Sequence, residues 1–232
     1  EETFLKMLHD KSDRVKFFAA SALGRIRSQK SVEPLFALLR ENSDKDAFLR
    51  HAAVVALDSI GDLESVLRHA DSDSRAERLA VALVLRRAES GEIARFVDDP
   101  DWRIATAAAR AINDLPLNQA TGKLAASAER VLRDPPAAPE AFTRRAINAC
   151  FRLGGKKNAE TLVSLATSSQ LSAVMRSEAL AALSDWSSPG KRDRVNGFWR
   201  PLALRKSTTI RKVIQASSGL LLSETEGTLL PA

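Results

Sequence analysis

The sequence predicts an all-α protein, an α-solenoid of about six stacked helix pairs (an α-α superhelix), and three observations carry that expectation. Six stretches recur in which small apolar residues, mostly alanine, hold one face at helical spacing. Asp, Ser and Pro cluster just before these stretches, where helices begin, and Gly follows several of them. Aromatic residues make up 5% of the chain and Tyr is absent, so the composition suits close helix packing rather than a sheet, which prefers β-branched and aromatic side chains.

The first copy is Arg14–Gly24, preceded by Asp10 and Asp13. The second is Leu49–Leu57, after Asp44 and Asp46, and the third Arg78–Leu85, after Asp71 and Asp73. Asp101–Ile112, behind the turn Asp99-Pro100, is the fourth, with an alanine and isoleucine packing face. Arg144–Gly154 and Met175–Leu183 complete the set. Shorter helices are expected between them at Val32–Arg40, Asp62–His69, Gly91–Val97, Asn118–Arg133 and Lys157–Ala166. Gly24, Gly61 and Gly154 fall where a helix should stop. A helix pair cannot bury its apolar face alone, so each copy needs neighbours.

The Pro-rich stretch Leu132–Glu140 contains three prolines and reads as an extended inter-repeat loop. The array is expected over residues 1–186. Residues 187–232 form an irregular basic segment with one further helix at Thr208–Ser223 and a loosely ordered tail from Glu224.

The order Asp, then Val/Ile-Arg/Lys, then Ala-Ala-x-Ala-Leu-Gly resembles the HEAT repeat, an armadillo-like helical family. Asp10–Gly24 matches best, and the resemblance extends over about residues 3–186. In copies four and five, Ala105 and Ala146 stand where the basic residue belongs. A narrower resemblance covers about a third of the chain. Asp101-Trp-Arg-Ile-Ala, Ala111-Ile-Asn-Asp-Leu-Pro116, Arg144-Arg-Ala-Ile-Asn148, Leu183-Ser-Asp-Trp186 and Arg192-Asp-Arg-Val-Asn-Gly-Phe-Trp-Arg-Pro-Leu202 are similar to the HEAT segment of a bacterial family of exported proteins. In that family the HEAT array lies between a sorbosone-dehydrogenase-like β-propeller and a c-type cytochrome domain. The resemblance implies a connecting solenoid in an exported redox protein. It carries no catalytic or haem residue onto this sequence, where neither a propeller nor Cys-x-x-Cys-His occurs.

The chain starts at Glu1 without Met and reads as a segment of something longer; compartment is set only by the resemblance (exported, periplasmic) and is otherwise cytoplasmic by default. A single cysteine, Cys150, excludes an internal disulfide and reads as a small buried residue. No hydrolase, phosphate-loop or zinc-protease motif is present, and Gly154-Gly-Lys-Lys157 follows a helix, as a C-cap would. His9, His51 and His69 have no ligand-spaced neighbours in sequence. No catalytic residue, metal or cofactor is therefore expected. Charge is uneven: residues 1–100 carry 16 Lys/Arg against 18 Asp/Glu, and residues 101–232 carry 19 against 11, which draws attention to the second half.

The candidate interaction surface comprises Lys16, Arg50, Arg78, Arg103, Arg144 and Arg176, each near the start of a main helix, with Trp199 and Arg200 in the basic segment. Acids such as Asp13, Asp46, Asp73 and Asp101 precede the basic row, which favours a ladder of ion pairs over an anion-binding strip. The expected function is a non-catalytic scaffold that binds a protein partner or neighbouring domains of its own chain. The alternative is a HEAT-like nucleic-acid-binding protein or DNA glycosylase with a basic concave groove, which the interspersed acids disfavour. A bilin lyase of similar architecture finds no anchoring residues here.

Overall fold

The computed structural model describes residues 1–217 and Gly219. Among them are thirteen α-helices, no β-strand and one isolated antiparallel bridge, so the chain is all-α as expected. It divides into two compact units, Glu1–Phe96 and a second beginning at Val97. No helix among the described residues is long and apolar enough to cross a membrane.

In the first unit the helices are α1 (Glu2–Met7), α2 (Asp13–Arg25), α3 (Val32–Asn42), α4 (Ala47–Ile60), α5 (Leu63–Leu67) and α6 (Arg75–Arg87). The first three predicted copies are α2, α4 and α6, and each packs on the next. Helix α3 lies against α4 and α6, so the row and its backing share one core that includes Leu23, Leu35, Phe36, Leu39, Ala53, Leu57 and Val81. The closest approach is at Gly24, where an added Cβ would stand 2.7 Å from the Ala56 Cα. Gly24 therefore lies inside α2 as a packing residue, not as the helix stop expected of it. Gly61 does end α4, with φ of 79°.

The expected helix at Gly91–Val97 is a 3-10 stretch, Gly91–Asp98. Its three-residue period puts Ile93 and Phe96 on one buried face.

The second unit holds α7 (Trp102–Asp114), α8 (Asn118–Ala126), α9 (Ala128–Arg133), α10 (Glu140–Leu153), α11 (Lys156–Ala166), α12 (Ala173–Ser184) and α13 (Ser207–Ala216). Copies four to six are α7, α10 and α12; α10 packs on both of the others, with α8, α9 and α11 behind. Ile104, Ala105, Ala108, Ala109, Ala111 and Ile112 bury the predicted face of α7. The single helix expected at Asn118–Arg133 is broken at Ser127, whose hydroxyl donates to the Leu124 carbonyl at 2.6 Å. The Pro-rich stretch is a turn rather than an extended corner: Pro135 is buried and its carbonyl accepts from Ala138 N–H. Of the expected last helix, α13 supplies residues 207–216; its continuation to Ser223 and the tail from Glu224 lie outside the described residues.

Candidate interaction surfaces

Caps set the start of the main helices, and the acids placed there do two jobs. Asp46 accepts from the N–H groups of Phe48 (2.7 Å) and Leu49, and Asp101 from those of Arg103 (2.7 Å) and Ile104. The basic row is tied back to the fold in the same region. Lys16 pairs with Asp13 at 3.4 Å, Arg50 pairs with Asp44, and Arg144 with Glu178 at 2.7 Å. Arg78 donates to the carbonyls of Ser72 and Asp73. Arg103 joins its cap through the backbone, and Arg176 sits half-buried in the first turn of α12. Arg145, one residue beyond the expected position, forms the two-pronged pair between α10 and α7: its Nε and one terminal nitrogen reach the Asp114 carboxylate at 3.1 and 2.9 Å.

The first unit also leaves some large apolar side chains uncovered. Phe18 on α2 is 58% exposed and Phe48 on α4 is 78% exposed, and both line one groove with Phe17, Leu49, Arg14, Asp13 and Asp46. A second groove between α4 and α6 has Val54 and Leu83 for a floor, with Arg50, His51, Arg86 and Arg87 around it. Phe48 and His51 are three residues apart on α4, so the two grooves share a helix face. Their volumes, about 370 and 380 Å³, are at the small end of ligand sites and suit single side chains.

His69 was isolated in sequence but not in space. Its ring stacks on Phe36, 3.6 Å between centroids, with one nitrogen 3.3 Å from Glu77 and the other 3.3 Å from Glu33. Glu77 also accepts from Arg40 Nε at 2.7 Å. Burial pushes the Glu77 carboxyl up, but hydrogen bonds from Ser72, Arg40 and His69 outweigh it and hold it below its usual range. These are contacts of packing; no group of three or more His, Cys, Asp or Glu able to hold a metal occurs among the described residues. Cys150 is buried, and that burial pushes its thiol up to about 12, so it stays protonated.

In the second unit the segment after α12 is ordered by Asp193. One oxygen of this buried carboxylate accepts from the N–H groups of Val195 and Asn196, closing a tight turn. The other accepts from Asn148 Nδ2 at 3.0 Å, Arg200 at 3.2 Å and Arg152 at 3.4 Å. Asn148 also donates to the Asn113 side chain at 2.7 Å, and Arg200 to the Asn113 carbonyl at 2.8 Å. Burial raises the Asp193 carboxyl, yet the Asn148 amide, the two N–H groups and the Arg200 charge together keep it below the ordinary 3.8. Gly197, at φ of 72°, lets the chain reverse, and Arg192 bridges to Trp199. The result is a hairpin whose anchor is Asp193 with Arg200, while Phe198 (60% exposed) and Trp199 (63%) stay bare.

Of the two candidates in this segment, then, Trp199 faces outward and Arg200 inward. The other tryptophans pack: Trp102 meets Phe142 edge-on at 5.1 Å under the Arg130 guanidinium, and Trp186 is fully buried beside Phe151 and Arg205. Phe18, Phe48, His51 and Arg86 were missed because a single bare residue on a helix carries no periodic signal. Asp193 had one: it is the lone acid in Pro189–Lys212, among eight basic residues.

Residues 1–86 match the family of HEAT repeats, a stretch that falls within the first unit. Repeats of that kind are generally non-catalytic and serve as protein-interaction or scaffold surfaces. No curated protein matches the chain.

Proposed function

We propose that the chain is a non-catalytic interaction module whose first unit takes an apolar-then-acidic stretch of a protein partner along the α2–α4–α6 row. The observation that carries this is the pair of bare phenylalanines, Phe18 and Phe48, around one groove beside a second groove rimmed by basic side chains. Arg86 makes no ion pair among the described residues and offers its charge to a carboxylate on the partner. Aromatic anchors in small pockets with charged groups at the rim are the usual energetic centre of such contacts.

A photoreactive phenylalanine at position 48 tests the reading in the cells that make the protein. The expected result is a discrete protein adduct that Phe18→Ala and Arg86→Glu each diminish. A yield no higher than from the same probe at exposed Lys30 would count against it.

Two finer points extend the proposal. Neighbouring domains of the same polypeptide are candidate partners, in keeping with the resemblance to the connecting solenoid of exported redox proteins; the open reading frame on either side tests this, a propeller upstream and Cys-x-x-Cys-His downstream being expected. The nucleic-acid alternative has less support, because Lys16, Arg50 and Arg144 each lean on a carboxylate and leave no continuous phosphate track.

A further inference from the structure

The hairpin Lys191–Arg200 of the second unit is a built projection, and its surface chemistry differs from that of the grooves. Besides the bonds to the Asp193 carboxylate, five hydrogen bonds close it on itself: Asp193 N–H to the Phe198 carbonyl (2.8 Å), Gly197 N–H to the Asp193 carbonyl (2.9 Å), Phe198 N–H to the Asn196 side chain (3.0 Å), Arg200 N–H to the Lys191 carbonyl (3.0 Å) and the Arg192 guanidinium to the Gly197 carbonyl (3.0 Å). Asp193 then pins it from below to Asn148 and Arg152 of α10. Such a loop has little conformational entropy left to lose on binding.

We propose that this hairpin is an interfacial anchor for an anionic lipid bilayer, with Phe198 and Trp199 in the headgroup–acyl boundary and Lys191 and Arg192 against the headgroups. Neighbouring residues of an extended chain point to opposite sides. Phe198 and Trp199 are nonetheless both more than half exposed, so the apolar surface stands on both sides of the projection. A flat protein surface covers one such side; a bilayer interface, which closes around an inserted loop, covers both. Tryptophan suits that depth, since its ring is apolar and its N–H remains near water.

Charge selects the kind of bilayer. The segment Pro189–Lys212 holds eight basic residues and one acid. That acid, Asp193, is buried and already engaged with Arg152 and Arg200, so it does not offset the surface charge of Lys191 and Arg192. Lys191 Nζ lies 5.6 Å from the Trp199 ring centre, which places cation and aromatic on one patch. Exposed basic residues beside an apolar wedge are the two signals that together give stable peripheral binding. The proposal is independent of the peptide-binding reading of the first unit.

Sedimentation of the full chain with vesicles tests it. Phosphatidylcholine vesicles containing about a third phosphatidylglycerol should carry the protein down, and phosphatidylcholine alone should not. Brominated acyl chains should quench tryptophan fluorescence, and Trp199→Phe should abolish the quenching, since Trp186 is buried and Trp102 is packed between Phe142 and the Arg130 guanidinium. Phe198→Ala with Trp199→Ala should weaken partitioning by roughly tenfold or more, and Lys191→Glu with Arg192→Glu should remove the preference for anionic lipid. All four substituted positions carry exposed side chains, and an unchanged melting curve verifies the fold of each variant. Failure to sediment with anionic vesicles would overturn the proposal. So would quenching that survives Trp199→Phe, or Trp199-dependent binding to polyglutamate or duplex DNA in preference to vesicles, which would assign the hairpin to a macromolecular partner.

Discussion

Gly24 shows how much rests on one missing methyl group. Because a Cβ there would lie 2.7 Å from Ala56 Cα, Gly24→Ala forces α2 and α4 apart. The expected cost is about 1–3 kcal/mol, despite the better helix propensity of alanine, read as a lower thermal midpoint. Asp193 is the other residue of high leverage. Its carboxyl is held below 3.8, so its ionised form contributes stability that is complete above that pH and is lost as pH falls through the depressed native value. Asp193→Asn leaves Arg152 and Arg200 without their counter-ion and should cost about 3 kcal/mol at neutral pH. Urea unfolding across the acid range checks both parts: the variant should be weaker at pH 7 and should lose less stability than the parent between pH 5 and pH 3.

At the scale of the element, capping and interruption explain more than propensity does. Helix α7 starts where Asp101 takes two N–H groups, and Asp101→Ala should cost about 1 kcal/mol. Hydrogen exchange of the Arg103 and Ile104 amides should quicken more than that of amides in the middle of α7. The hairpin after α12 is likewise an element, though it contains no regular structure beyond one bridge. It is stable because one carboxylate accepts from five donors drawn from the turn, α10 and Arg200. The residues that carry the narrower resemblance (Asn113, Asn148, Asp193 and Arg200) are thus largely each other's partners. That motif reads as a record of how the segment is fastened.

The whole chain consists of two compact units, and they differ in charge. Residues 1–96 carry 16 Lys/Arg and 16 Asp/Glu, whereas residues 97–232 carry 19 and 13. Salt should therefore weaken contacts of the second unit with acidic surfaces more steeply than the first unit's contact with a partner, where apolar burial at Phe18 and Phe48 adds to the charge of Arg86. The first unit has its own buried core on α2, α3, α4 and α6. A fragment of residues 1–96 should accordingly give a helical circular dichroism spectrum and a cooperative melt. A broad, non-cooperative loss of helix would mean that its core is insufficient alone.

The all-α architecture and the six main helices were legible in the amino-acid order, because helical periodicity and capping are local and lie within a dozen residues. The break at Ser127 and the 3-10 stretch at Gly91–Asp98 were less so, since one side-chain bond or a three-residue period decides them. Which polar groups meet was settled only by the tertiary structure. Asn113 reaches Arg200 across 87 positions, Arg40 reaches Glu77 across 37, and His69 finds Glu33 across 36. Such pairings depend on the register in which one helix is laid on the next, and that register is set by the fit of many small side chains at once, as Gly24 against Ala56 illustrates.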